Sequence, residues 1–167
     1  LKGLNSNHPD IPMLGICCDH SMLTEMPGHP WLQNKRRVGF FPGSSLGNFC
    51  PDAAVDLLKR FRHLLAGGPL LLGLDQPRDP QQLEAAYDDA AGISAAFARN
   101  LLHRLNRELN GTIDISQFDY QARWEEQHQR IEMALISRCD QTVNLDGRPW
   151  TFAANERLIT EHSVKYT

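Results

Sequence analysis

The chain has 167 residues, of which 41% are hydrophobic and 22% charged, with a formal net charge of −3; this is the composition of an ordinary water-soluble protein with enough length for a sizeable core. There is no basic stripe, so nucleic acid is not an expected partner; no apolar run approaches ~18 residues, so no membrane span is expected; no signal peptide is visible. Cys17, Cys18, Cys50 and Cys139 lack the spacing of a disulfide framework, and the chain reads as reduced and cytoplasmic, one domain or one and a half.

Residues 12–18 (PMLGICC) are a short apolar run bounded by turn residues. They predict a strand, with Asp19 at its end. Residues 22–35 carry Pro27, Gly28 and Pro30 and read as irregular. Residues 37–41 predict a second strand, short and buried. A Gly/Ser turn follows it, Pro42-Gly43-Ser44-Ser45-Leu46-Gly47-Asn48. The spacing then predicts a helix over 51–66, with Ala54, Leu57, Leu58, Phe61, Leu64 and Leu65 on one face. Pro51 suits the first helical position, and Gly67-Gly68 ends the helix. Residues 69–74 are nearly all apolar, as a strand buried on both faces should be. Asp75 stands at its end. Strand, helix and strand with short links predict a βαβ unit and a parallel sheet.

Ligands of an open α/β sheet sit beyond the carboxyl ends of its strands. The turn at 42–48 is therefore a candidate site. Gly43 and Gly47 let the backbone approach a ligand closely, and the Asn48 amide can both donate and accept. The turn lacks the lysine of a phosphate loop and the GxGxxG spacing. A tight strand–helix connection is the plain alternative. Asp19, at a strand end, is placed to accept hydrogen bonds from a ribose or an amine.

From Pro80 the style changes. Residues 80–89 predict a helix with Leu83 and Tyr87 on one face. Residues 94–109 predict another, with Phe97, Leu101, Leu105 and Leu109 in register and Ser94 as N-cap. Asn110-Gly111 stops it. The remainder reads as antiparallel sheet: 130–137 and 158–166 alternate, and Asp146-Gly147 is a hairpin turn. The expected organisation is thus part of a parallel α/β domain over 1–79 and an α+β region over 80–167.

Residues two apart in a strand share a face. Glu161 and Ser163 should point one way, and Thr160, His162 and Val164 the other. A carboxylate beside a hydroxyl can grip a small planar group with two nitrogens; a solvated strand face is the alternative. Ile131, Met133 and Leu135 should also share a face, and methionine lines adaptable pockets as well as cores. Tyr87 reads as a core tyrosine with its hydroxyl at the rim, and Asp88-Asp89 as solvated. Trp124, Trp150 and Tyr166 read as core or rim aromatics. Cys17, Cys18, His20 and His29 do not have zinc-ligand spacing, so the cysteines are expected to be buried and no metal is expected. Asn110-Gly111-Thr112 matches a glycosylation acceptor by chance. The residues alone leave a dinucleotide-binding half-domain open.

Five segments together resemble the histidine-specific Nα-methyltransferases of ergothioneine biosynthesis. They are FFPGSSLGNF at 40–49, LLLGLDQPRD at 70–79, AAYDDAAGISAAFARNLLHRLNREL at 85–109, RIEMALIS at 130–137 and LITEHSVKYT at 158–167. The resemblance implies a class I, Rossmann-like S-adenosylmethionine methyltransferase with an added substrate region, and L-histidine as its small-molecule substrate. It implies that Asn48 holds the substrate α-amine beside the methyl donor. It implies that Tyr87 binds the carboxylate, that Glu161 and Ser163 read the imidazole nitrogens, and that Met133 lies beside the ring. It implies that Gly43 and Asp19 contact the donor, Asp19 at the adenine. The family's first strand and glycine-rich donor loop precede the matched segments, so the chain resembles the carboxyl-terminal half of such an enzyme. The rival expectations are methylation of another aromatic amino acid, and a substrate-binding fragment without turnover. Oligomeric state stays open.

Overall fold

A computed structural model describes residues 2–167. In chain order they form α1 (Lys2–Asn7), β1 (Gly39–Phe41), α2 (Pro51–Leu64), β2 (Leu70–Leu72), α3 (Pro80–Tyr87), α4 (Ile93–Glu108), β3 (Phe118–Glu125), β4 (Arg130–Ser137), β5 (Gln141–Leu145), β6 (Arg148–Phe152) and β7 (Arg157–Val164). The chain divides into two compact units. One joins the residues up to Gly39 with Val55–Leu70; the other joins Phe40–Ala54 with Leu71–Thr167. Among the described residues no helix is long and apolar enough to cross a membrane.

Helix α2 keeps the face its spacing predicts. Ala54, Leu57 and Leu64 are buried, and Leu58, Phe61 and Leu65 are half-buried. Its last carbonyls lack helical partners, and the Arg37 guanidinium donates to one of them, Leu64 O, at 2.6 Å. Strands β1 and β2 pair. The bonds Gly39 N to Pro69 O (2.9 Å) and Gly73 N to Phe41 O (3.0 Å) advance in the same direction along both strands, so the pairing is parallel.

Three expectations for this part fail. Residues 12–18 form no strand, and Leu14 and Ile16 are exposed. An extended run becomes a strand only when a neighbour completes its ladder, and none does among the described residues. Cys17 and Cys18 are exposed, not buried. The parallel strands are shorter than expected and only half-bury alternate residues. Phe40 is 70% and Leu71 62% exposed, because burial on both faces needs a layer on each side.

Phe40–Ala54 with Leu71–Thr167 holds a three-stranded antiparallel sheet of order β3-β4-β7 and the hairpin β5-β6. Asp146 and Gly147 have φ of 50° and 74°, the left-handed pair that a two-residue hairpin turn needs. The centre of the sheet is β4. Its Leu135 packs in a cluster with Ala98 and Leu102 of α4, Ile113, Phe118 and Val143. Its Ile131 and Met133 join Leu83 of α3 and Ala122 of β3, with Tyr87, Tyr120 and Trp124 against them. Strand β4 does not present the solvated second face that alternation predicts. Glu132 is buried, held by Arg130 at 2.6 Å.

The first turn of α4 is capped by Asp89, not by Ser94. The Asp89 carboxylate accepts the N–H groups of Ile93 (3.0 Å) and Ser94 (2.8 Å). Hydrogen bonds from Ser94, then Ile93, hold its pKa down to about 2. Trp150 is exposed instead of lying at a core rim.

The pairing of β4 with β7 contains a bulge. Met133 faces Glu161 and Ala134 faces Ile159, so Thr160 is the extra residue. Its hydroxyl donates to the Met133 carbonyl at 3.1 Å.

Candidate functional site

The turn after β1 runs through two left-handed residues, Gly43 (φ 78°) and Ser44 (φ 56°). A left-handed serine is strained, and the end of β2 holds it. Ser44 N donates to Gly73 O at 3.2 Å, and Ser44 Oγ accepts from Asp75 N at 3.0 Å. A short 3-10 turn, Ser45–Asn48, then presses onto β7. A Cβ on Gly47 would stand 2.6 Å from Val164 O and 3.0 Å from Val164 N. Only glycine fits there. Gly47→Ala should therefore push Asn48 off β7 and cost about 1–3 kcal/mol of stability, as overpacking does; a denaturant midpoint equal to wild type would refute this.

The close approach brings Asn48 to Glu161. Asn48 Nδ2 donates to Glu161 Oε1 at 2.7 Å. A carboxylate only accepts, so the amide Oδ1 is left facing away as an acceptor. A second group lies on the same strand. Tyr87 Oη and Ser163 Oγ are 3.0 Å apart. Lys165 Nζ donates to Tyr87 Oη at 2.6 Å and to Ser163 Oγ at 3.0 Å. It also pairs with Asp75 Oδ2 at 3.0 Å. The Lys165 side chain is fully buried. Burial alone would raise the Asp75 pKa, but Arg78 at 2.6 Å and Lys165 outweigh it and hold the carboxyl below its usual range. Tyr166 closes the group: its N–H donates to Asp75 O at 2.9 Å and its hydroxyl to Leu46 O at 3.3 Å.

A cavity of about 590 Å³ opens beside these groups. Tyr87, Met133, Thr160 and Glu161 form one end, and Ile93, Phe97 and Leu101 of α4 form an apolar wall. Tyr120 also lines it. Burial, then the nearby Asp88, Glu161 and Asp89 charges, push the Tyr120 pKa up to about 12. Its hydroxyl therefore stays protonated and donates to Tyr87 O at 2.8 Å.

Of the residues singled out in the sequence, Tyr87, Met133 and Glu161 line the cavity. Ser163 is 4% exposed and sits behind Tyr87. Asn48 is exposed and reaches the group through Glu161. Asn48 and Glu161, expected at opposite ends of a substrate, touch each other. Gly43 begins the turn. Asp19 belongs to the other unit, and its carboxylate accepts from Ser21 Oγ (2.6 Å) and Ser21 N (2.8 Å). Those bonds lower its pKa. Thr160 does not simply oppose Glu161, because the bulge turns both into the cavity lining. Sequence reasoning missed Lys165, Tyr120 and the role of Asp75. For Lys165 a signal existed: the period of two that joins Glu161 to Ser163 continues to it. Among the described residues no group of His, Cys, Asp and Glu is assembled to hold a metal ion.

A mixed α/β protein with a cavity lined by Tyr87, Tyr120, Met133 and Glu161 has a candidate small-molecule site. The chain belongs to the family of S-adenosylmethionine-dependent, histidine-specific methyltransferases, whose model matches residues 1–167. It is 36% identical over 167 residues to a histidine N-alpha-methyltransferase of Mycolicibacterium smegmatis, covering 98% of this chain and 50% of that protein. It is 34% identical to the Mycobacterium tuberculosis protein of the same name, with the same coverage. Ergothioneine biosynthesis protein 1 of Neurospora crassa is 35% identical over 105 residues, covering 58% of this chain and 12% of that protein. The chain spans about half the length of the two mycobacterial relatives.

Proposed function

We propose that the protein transfers a methyl group from S-adenosylmethionine to the α-amine of L-histidine, giving Nα-methylated histidine (hercynine) for ergothioneine biosynthesis, in the cytoplasm. The observation that carries this reading is the meeting of Asn48 with Glu161, and of Tyr87 with Ser163, on one strand beside the cavity, in a chain of this family.

The donor sulfonium, when bound, supplies an activated methyl group that a neutral amine can attack in line. Residues 42–49 contain no Lys or Arg, and the Glu161 carboxylate is close, so the turn suits a cation and not a phosphate. Gly43 is the proposed donor contact, in a fold we propose to be Rossmann-like. Asn48 Oδ1 accepts an amine N–H and so aims the amine lone pair. Tyr87 donates to the substrate carboxylate. Glu161 accepts the ring N–H, Ser163 donates to the other ring nitrogen, and Met133 packs against the ring. Binding exchanges the Tyr87–Ser163 contact for contacts with substrate and keeps the Asn48–Glu161 bond, which orients both side chains. Positioning of this kind supplies roughly 7–11 kcal/mol of a barrier. A pocket built to hydrogen-bond a ring rejects side chains that cannot answer it, which sets histidine above leucine or phenylalanine.

The test is mass spectrometry of L-histidine incubated with the full-length protein and S-adenosylmethionine. A mass gain of one or more methyl groups is expected. Methylation of tryptophan or tyrosine in its place, or histidine binding with no mass gain, overturns the reading in favour of another amino acid or of a binding module.

A further inference from the structure

We infer that Lys165 is a positioning residue that fixes the direction of the hydrogen bonds offered to the substrate. The inference rests on the histidine reading of the site. A lysine ammonium has three donors and no acceptor. In this protein all of them are used, on Asp75 Oδ2, Tyr87 Oη and Ser163 Oγ.

The remaining protons can be followed. Both hydroxyl oxygens already accept from Lys165. One hydroxyl can donate to the other across the 3.0 Å contact. One hydroxyl proton is then left without a protein acceptor among the described contacts. The pair is therefore a net donor, backed by a buried positive charge. It suits a ligand that brings lone pairs to both hydroxyls, a carboxylate at Tyr87 and an unprotonated ring nitrogen at Ser163. When such a ligand binds, the Tyr87–Ser163 bond opens. Each hydroxyl keeps the lysine as its donor and gives its own proton to the ligand, so every proton has an acceptor. A cationic imidazolium has no lone pair for Ser163, and an amine without a carboxylate leaves Tyr87 unanswered. Charge-assisted hydrogen bonds of this kind are about twice as strong as neutral ones. Asp75 holds the ammonium in place, and Arg78 holds Asp75.

The experiment compares calorimetric affinities of the full-length protein for L-histidine and for histamine, which has the ring and amine but no carboxylate. In Lys165→Met, histidine should bind about 10- to 100-fold more weakly, and the preference for histidine over histamine should shrink. Breaking a buried pair destabilises, so the double variant Lys165→Met/Asp75→Asn, which removes both charges, should give the same result in a folded protein. Equal losses for both ligands in either variant overturn the inference and leave the histidine reading standing. Failure of the wild type to bind histidine overturns both. Independently of any variant, NMR of the nitrogen-15-labelled wild type should contain a slowly exchanging lysine ammonium resonance that shifts more with histidine than with histamine. Absence of a protected ammonium, or an equal shift with both ligands, overturns the inference.

Discussion

Replacing Asn48 by alanine should lower kcat by roughly a hundredfold, the cost of misplacing reacting atoms by about an ångström, while changing donor affinity little. Asn48 stands on the turn beyond a parallel strand, its Nδ2 committed to Glu161 at 2.7 Å. That commitment fixes the orientation of the amide and leaves Oδ1 to orient the amine. Removing the amide removes the aim but not the room for the donor. A rapid-quench measurement of methyl transfer, set beside calorimetry of S-adenosylmethionine binding, separates the two quantities. A variant with wild-type kcat would show that the turn serves only to join β1 to α2.

Glu161→Ala should weaken histidine binding by about 1.5–3 kcal/mol, the worth of a hydrogen bond to a charged group. Glu161 lines the cavity, and one of its oxygens is taken by Asn48. The other remains for a ring N–H. Phenylalanine, whose ring has no N–H, should gain nothing from the native carboxylate and lose nothing with it. Unchanged histidine affinity in calorimetry would remove Glu161 from ring recognition. The two substitutions should not add. Each alone breaks the same 2.7 Å bond, so the double variant should lose less than the sum.

The elements that are legible in the sequence are those with a strong local signal. The apolar face of α2, the helical span of α4 and the Asp146-Gly147 turn each follow from spacing or backbone preference and hold in the structure; the apolar face read for α4 does not, since Ala98 and Leu102 are buried while Phe97, Leu101 and Leu109 are exposed. The errors arise where tertiary context decides. Residues 12–18 have the composition of a strand, but pairing needs a partner that no local pattern contains. Phe40 and Leu71 are apolar, yet their burial depends on what covers the strand. Ser94 reads as a cap, but Asp89 lies closer to the orphan N–H groups. In the candidate site, Glu161 and Ser163 were legible from alternation and their roles from family resemblance. Lys165 was overlooked although the same period of two reaches it, since a lysine at a strand end ordinarily faces water. Its burial follows from Asp75, 90 positions earlier in the chain (165 − 75), which only the fold brings within 3.0 Å.

The extra residue in β7 has a genetic consequence. With plain alternation, Leu158 and Glu161 would lie on opposite sides of the sheet. The bulge puts both on one side, Leu158 against the apolar cluster and Glu161 at the cavity. It works as a phase shifter between an oily half and a polar half of one strand. Loss of that single codon would leave the pairing of Ile159 with Ala134 and of Glu161 with Met133 in an unbroken ladder, with both halves still in phase. Evolution can thus lengthen, shorten or recolour the cavity floor at this one position without disturbing the frame of the strand on either side.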